Sequence, residues 1–258
     1  MIRRHKALFI TVVPSPYQRD LFGALAMRDD VDLRVCYMEG KSPDSPWPEK
    51  PLRPFERIMP GFWGSFGNAR GHVNWKLPDV SEPQIVVLST FTSLTGQYLM
   101  RGALRNKRWL FWGERLHKNA GIKEMVQRAL AAPISQASAI VGIGRAAEED
   151  YRRRFPNIPH FSIPYHCDLT AFVAARRCVE PRVPVTFLFC GQMIERKGVD
   201  LLLLAFDRLI TKGIEARLLL VGREADLPKF LAMVGPATRS KIRYEGFRAS
   251  EHLPEHFS

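Results

Sequence analysis

A cationic loop just before a helical pattern is the part of this chain whose residues most clearly indicate chemistry. The loop begins at Gly191 and carries Arg196 and Lys197, and apolar residues then recur at helical spacing over residues 199–212. A glycine permits close backbone approach by a ligand, and guanidinium and ammonium groups bind phosphate oxygens. The free N–H groups and positive dipole at the start of a helix also favour an anion. Together these features predict a phosphate site.

The loop lies within a predicted parallel β-α-β unit. Residues 185–189 form an apolar, β-rich run suited to a strand buried on both faces of a sheet, and residues 217–221 form a second run after the helix. Ligands of parallel sheets bind beyond the carboxyl ends of the strands. The predicted unit therefore places the cationic loop at the mouth of a site.

Four segments of this region carry a resemblance to a known family. They read Phe-Cys-Gly-Gln at 189–192, Arg-Lys-Gly-Val-Asp at 196–200, Leu-Leu-Leu-Val-Gly at 218–222 and Tyr-Glu-Gly-Phe at 244–247. Together they resemble the start of the C-terminal domain of GT-B glycosyltransferases, specifically those of the retaining family 4 type. The resemblance implies that Lys197 binds the diphosphate of the donor. It also implies that Gln192 stands where the family has an arginine, which Arg196 replaces only if its side chain turns inward.

The reaction implied by the resemblance is transfer of a hexose from a nucleotide-diphosphate sugar to a hydroxyl, with retention and without a metal or cofactor. The implied acceptor is a sugar or a lipid-linked molecule, in the synthesis of a polysaccharide, lipopolysaccharide or glycolipid. The family also has a Glu-x7-Glu segment a few tens of residues beyond the position of Phe247, whereas this sequence ends at Ser258. We therefore expect a fragment with a half-built donor cleft, an exposed apolar edge and no transfer activity by itself.

Candidate acceptor-side residues stand in the N-terminal part of the chain. They are Tyr17 after the first predicted strand, Trp112 and Glu114 at the end of the fourth, and His72 and Asn74 in a polar and aromatic segment. An indole face packs against sugar C–H groups, and Glu114 is a candidate base or hydrogen-bond partner for the acceptor hydroxyl. Two alternatives stay open: a satisfied surface loop around His72 and Asn74, and an ion pair between Glu114 and a neighbouring cation.

The elements that must position these residues alternate between strands and helices. Strand patterns cover residues 7–13, 32–37, 84–90, 108–112, 139–143 and 160–163, and helical patterns cover residues 18–27, 94–105, 123–132 and 145–155. A proline-rich stretch, residues 43–60, interrupts this order with one possible strand near 55–59. The alternation predicts an α/β fold with parallel, doubly wound sheets.

The resemblance makes this fold GT-B-like, with two Rossmann-like domains of which the second is incomplete. The predicted divisions are an acceptor-side domain over residues 1–172, a linker over 173–184, and a partial nucleotide-sugar-binding domain over 185–258.

A glycine pattern keeps a different enzyme class open. Gly142 and Gly144 satisfy G-x-G-x-x-A between a predicted strand and helix, and Asp168 follows about twenty residues on, as in a dinucleotide fingerprint. A Rossmann oxidoreductase using a nicotinamide or flavin is therefore one alternative. A tight strand-to-helix turn explains the same glycines, because the pattern follows a late strand of its domain. A non-catalytic α/β binding protein is a further alternative.

The chain is strongly basic, with a formal net charge of +12 and a pI of about 9.9. Basic residues cluster at 3–6, 101–108 and 152–154, and a basic amphipathic pattern begins at residue 123. Peripheral contact with an anionic membrane and a solvated basic face both account for this excess. Nucleic acid is not expected as a partner, because no nucleic-acid module or interleaved aromatic platform is recognisable.

Four cysteines show no metal-binding spacing, so no metal site is expected. No apolar run approaches the length of a membrane-spanning helix. The expected location is the cytoplasm, with peripheral attachment to the inner face of the membrane as an option.

Overall fold

The computed structural model describes residues 4–41, 47, 49–66, 69–175 and 184–257. The chain divides into two compact units, Met1–Asp168 and Leu169–Ser258. Most of the predicted linker, residues 173–184, lies outside the described residues, as do part of the first basic cluster and part of the proline-rich stretch.

The first unit is built on a parallel sheet of seven strands, in the order β3-β2-β1-β6-β7-β8-β9. The strands of this unit are β1 (His5–Thr11), β2 (Val31–Tyr37), β3 (Glu56–Ile58), β4 (Gly61–Phe66), β5 (Ala69–Asn74), β6 (Ile85–Leu88), β7 (Trp109–Gly113), β8 (Ala139–Gly142) and β9 (His160–Ser162). The antiparallel β4–β5 hairpin, which no sequence pattern indicated, stands apart from this sheet. Because β1 pairs with β2 on one side and β6 on the other, the strand order reverses at β1.

The strand runs are apolar because the central strands bury both faces. Leu8 and Ile10 of β1 face one core cluster, whereas Phe9 packs in a second cluster with Phe22 and Trp112. The helices of this unit are α1 (Pro16–Ala26), α2 (Leu94–Tyr98), α3 (Ile122–Ala131) and α4 (Arg145–Arg154). The helix expected over 94–105 is divided, because α2 continues as a π-helical turn, Leu99–Ala103.

A buried ion pair fixes α1 against β3. The side chains of Arg19 and Glu56 are 10% and 0% exposed, and Arg19 Nη2 lies 2.7 Å from Glu56 Oε2. Glu56 also accepts hydrogen bonds from Tyr37 Oη at 2.8 Å and from the backbone N–H of Arg53 at 2.8 Å. Each oxygen of the buried carboxylate is therefore satisfied, as a buried charge requires.

The second unit contains a parallel sheet in the order β10-β11-β12. Its elements are α5 (Thr170–Ala174), β10 (Val185–Cys190), α6 (Val199–Thr211), β11 (Ala216–Val221), α7 (Leu227–Leu231), α8 (Pro236–Arg239) and β12 (Ile242–Tyr244). Leu203 and Phe206 of α6 pack against Leu218 of β11 in one core cluster.

The expectation that the first strand of this unit is buried on both faces is wrong. Within the described residues β10 is an edge strand, so Val185 and Phe187 remain 55% and 43% exposed. Leu201 of α6 is also 67% exposed. None of the described helices combines the length and apolarity that crossing a membrane requires.

Candidate functional site

A cavity of about 630 Å³ lies at the carboxyl ends of the central strands of the first unit. It is lined by Thr11 at the end of β1, Ser89 after β6, Gly113 at the end of β7 and Ile143 after β8. Neighbouring parallel strands end at the same edge of a sheet, and a crevice forms where the strand order reverses. The cavity therefore occupies the place where a doubly wound sheet binds its ligands.

Three of the predicted acceptor-side residues, Tyr17, Trp112 and Glu114, line this cavity. A further side chain, Tyr165, joins two of them. Its hydroxyl donates a hydrogen bond to Glu114 Oε1, and its ring lies against that of Tyr17 with 4.2 Å between the ring centroids. Trp47 meets Tyr17 edge to face at 6.3 Å. The rings thus form an aromatic cluster that holds the Glu114 carboxylate at the cavity.

Tyr165 stays a hydrogen-bond donor over a wide pH range. Burial, followed by the hydrogen bond to Glu114, raises the pKa of Tyr165 well above its usual value of 10. Glu114 itself is exposed, so its carboxylate remains accessible to a hydroxyl group of a ligand. The alternative ion pair to Glu114 is not seen among the described residues, and Arg115 instead pairs with Asp150 at 2.9 Å.

Trp112 lines the cavity mainly as part of its wall. It is only 4% exposed and makes edge contacts with Phe9 and Phe22 at centroid distances of 6.1 and 6.4 Å. The indole therefore has little free face on which a ligand could stack, and it shapes the wall of the cavity.

The structure places His72 and Asn74 elsewhere. Both are buried side chains of β5, so the surface-loop interpretation of this segment is wrong. The Asn74 amide donates to the carbonyl oxygens of Met38 and Met59 at 2.9 and 3.1 Å, and its oxygen accepts from Thr95 Oγ1 at 2.9 Å. These bonds fasten β5 to the rest of the unit. Neither His72 nor Asn74 is among the described residues that line the cavity.

The second unit carries the cationic loop at the carboxyl end of β10. The Gly191 N–H donates to Val221 O at 2.8 Å, which joins the ends of β10 and β11. A Cβ at Gly191 would make van der Waals contact with the Phe189 ring at 3.4 Å, so packing alone does not require glycine there. At Gly222, φ is +143° and a Cβ would lie 1.8 Å from Gly191 O, so only glycine fits there.

Arg196 and Lys197 lie in a 3-10 turn, Glu195–Lys197, that leads through Gly198 into α6. Both cations are exposed, and no ion pair or side-chain hydrogen bond is recorded for either among the described residues. Gly198 has φ +72°, and among the described residues no side chain caps the first N–H groups of α6. Asp200 places one carboxylate in the same turn.

Gln192 is half-buried, and its carbonyl accepts a hydrogen bond from the Ile194 N–H at 2.9 Å. The structure thus gathers Gly191, Gln192, Arg196 and Lys197 in one loop between β10 and α6, as their closeness in sequence dictates.

Gly142 and Gly144 are explained by contacts between β8 and α4. A Cβ at Gly142 would lie 2.3 Å from Glu148 N, and Gly144 has φ +85° at the start of α4. Each position therefore needs glycine for local reasons, without reference to a dinucleotide. The β8 strand is also next to last in its sheet, rather than the first strand that a fingerprint normally follows.

No profile of a known protein family matches the chain, and no curated protein matches it. Solved structures do. Sucrose-phosphate synthase from Thermosynechococcus elongatus has a TM-score of 0.67 at 17% identity, covering 98% of this chain and 73% of that chain. WaaG, a glycosyltransferase involved in lipopolysaccharide biosynthesis, has a TM-score of 0.54 at 13% identity, with coverages of 97% and 72%. A UDP-N-acetylglucosamine 2-epimerase has a TM-score of 0.53 at 9% identity, with coverages of 98% and 72%.

At these identities the similarity shows the fold alone, and an epimerase shares it with transferases. The chain is therefore an α/β protein with parallel sheets and a GT-B-like fold.

Proposed function

We propose that the protein is a glycosyltransferase of the retaining family 4 type. It transfers a hexose from a nucleotide-diphosphate sugar to the hydroxyl of a sugar or lipid-linked acceptor, without a metal, in polysaccharide, lipopolysaccharide or glycolipid synthesis. The observation that carries this proposal is the loop between β10 and α6, where two exposed cations, with no ion pair to any described residue, adjoin a helix start that has no side-chain cap. The fold that the chain shares with sucrose-phosphate synthase and WaaG supports it.

The proposed chemistry divides between the two units. In the second unit, Lys197 and the first N–H groups of α6 stabilise the negative charge that develops on the departing diphosphate, where electrostatic catalysis has most effect. In the first unit, Glu114 accepts a hydrogen bond from the acceptor hydroxyl while Tyr165 holds the carboxylate in place.

Replacing Lys197 with Ala is expected to weaken nucleoside diphosphate binding by about 1.5 to 3 kcal/mol, or roughly 10- to 150-fold. The reason is the loss of a charge-assisted contact to phosphate. Calorimetry with UDP, GDP and ADP, and then with their sugars, measures the effect. The control is Lys212→Ala, which removes an exposed lysine from the opposite end of α6. Equal affinities in wild type and Lys197→Ala would overturn the assignment of this loop.

The same measurements separate the alternative functions. Binding without transfer to any acceptor indicates a non-catalytic binding protein, and a change of sugar configuration without an acceptor indicates an epimerase. Binding of NADPH instead of a nucleotide sugar indicates an oxidoreductase.

Replacing Gln192 with Arg is expected to tighten nucleoside diphosphate binding, because it adds a second cation to the loop. The change is measured in the same titrations, with Asn157→Arg, at an exposed position of the first unit, as the control for added charge. Weaker binding would show that the loop is built around the amide.

Peripheral attachment to anionic membranes is also proposed, from the basic surface of the first unit. The cluster at 152–154 contributes least, because these arginines pair with Glu148, Asp150 and Glu124. Lys107 and Arg108 are exposed, and no ion pair is recorded for them among the described residues. We expect co-sedimentation with anionic vesicles at low salt that disappears in strong salt, since exposed charges are screened within about 8 Å at physiological salt.

Two variants of equal net charge test which arginines and lysines matter. Lys107→Gln/Arg108→Gln should lower the bound fraction more than Arg152→Gln/Arg153→Gln, whose cations are already neutralised. Attachment that persists unchanged in strong salt would contradict the electrostatic account.

A further inference from the structure

The wall of the first-unit cavity formed by α3 is aliphatic. Ile122, Val126 and Leu130 all line the cavity, and their spacing of four residues places them on one side of the helix. Ile122 and Val126 are 79% and 52% exposed, so this stripe has no complete cover among the described residues. Val13 and Ile143, which follow two of the central strands, add further aliphatic lining. The cavity therefore offers an apolar groove as well as the polar cluster around Glu114.

The mouth of the cavity is cationic. Lys123 lines it, and Lys118 lines the adjoining pocket that shares Glu114, Ile143 and Tyr165 with it. No ion pair is recorded for either lysine among the described residues, whereas the Arg115 guanidinium is occupied by Asp150. An anionic group entering the cavity would meet these two ammonium groups, of which Lys118 also interacts with Asp150, and would lie near the Glu114 carboxylate.

Two polar atoms of lining residues lack partners. Ser15 is 1% exposed, and its Oγ is buried without a hydrogen-bond partner. Gln127 Oε1 is likewise buried and without a partner. Buried polar groups in folded proteins are normally paired, so these two atoms are candidates for hydrogen bonds to a ligand. The volume of about 630 Å³ lies within the range of sites that hold a small organic molecule.

We propose that this cavity binds a single-chain anionic amphiphile, with the anionic group at Lys118 and Lys123 and the alkyl chain along Ile122, Val126 and Leu130. The cavity also has a polar lining, but the exposed lysines and the uncovered aliphatic stripe are two features that a neutral oligosaccharide would leave unused. Binding of the amphiphile by the cavity does not depend on the proposed function. Only its role as the acceptor of the sugar rests on that function.

The test measures binding of dodecyl phosphate to the full chain by calorimetry, below its critical micelle concentration and without a donor. We expect affinity at least about tenfold higher than for butyl phosphate, which lacks the chain, and for dodecyl maltoside, which lacks the charge. Val126→Asn should weaken binding about tenfold or more, whereas Val173→Asn, at an exposed valine of α5, should not. Lys123→Gln should weaken it more than Lys241→Gln.

Ile122→Asn serves as a second variant of the stripe, since this side chain is largely exposed and its replacement should leave the fold intact. Equal affinity for the dodecyl and butyl phosphates, or binding to anionic vesicles only, would overturn the cavity assignment. These outcomes are independent of the Lys197 titrations. Nucleoside diphosphate binding without amphiphile binding refutes this inference alone, and the reverse result refutes only the naming of the amphiphile as the acceptor.

Discussion

Replacement of Glu114 by Gln is expected to lower the rate of transfer by about 100-fold or more, the range for loss of a positioned acid or base. The carboxylate stands at the end of β7, exposed to the cavity, and the Tyr165 hydroxyl holds one of its oxygens. An amide in its place keeps the shape but cannot accept a proton. The measurement is sugar transfer by the protein, together with donor affinity, which we assign to the loop of Arg196 and Lys197 and which should not change.

The control is Glu149→Gln, which removes an exposed carboxylate from α4 in the same unit. Tyr165→Phe should reduce transfer less than Glu114→Gln, because it removes the hydrogen bond but keeps the charge. A Glu114→Gln enzyme whose rate stays within about twofold of wild type would refute the assignment.

The second large effect is on stability. Glu56→Gln is expected to lower the free energy of unfolding of the first unit by about 3 to 5 kcal/mol, because it leaves the Arg19 guanidinium buried without a counter-charge. All five tryptophans lie in the first unit, so tryptophan fluorescence during urea unfolding reports on it. The matched control is Glu82→Gln, an exposed carboxylate that pairs with Lys6 and Arg34. Exposed pairs contribute little, so this variant should unfold almost as wild type.

A double replacement distinguishes a buried-charge penalty from simple loss of packing. Arg19→Met/Glu56→Leu removes both charges and should be more stable than Glu56→Gln. A double variant less stable than the single one would show that the hydrogen bonds to the loop around Arg53, rather than the ion pair, dominate.

The same carboxylate predicts the direction of acid sensitivity. Burial alone would raise the pKa of Glu56, but hydrogen bonds from Arg19, Arg53 and Tyr37 outweigh it and hold the pKa below its usual value of 4.5. Because the pKa of Glu56 is lower in the folded protein than in the unfolded one, the ionised carboxylate stabilises the fold above pH 4.5. This stabilisation is lost as the pH falls from 4.5 through the pKa of the folded state. The free energy of unfolding of wild type, measured in urea, should therefore decrease below pH 4.5. Glu56→Gln should not show the part of this decrease that comes from Glu56.

The sequence by itself determined the features that depend on near neighbours in the chain. Apolar runs located most strands of the two parallel sheets, although not β12. Their boundaries differ by a few residues from those expected, as β6 over Ile85–Leu88 against the expected 84–90 shows. The loop from Gly191 to Lys197 could be recognised for the same reason, since its cations and the start of α6 are consecutive residues.

The tertiary structure decided which distant residues meet. Tyr165, after β9, reaches Glu114 across 51 positions, because the parallel strands of one sheet end at the same edge. Arg19 reaches Glu56 across 37 positions, because α1 packs on β2, the neighbour of β3 in the sheet. No local spacing encodes such a pair. Strand pairing also decided where His72 and Asn74 point. A side chain in a strand faces one side or the other according to register, and the hairpin turns both residues inward, to hold the first unit together.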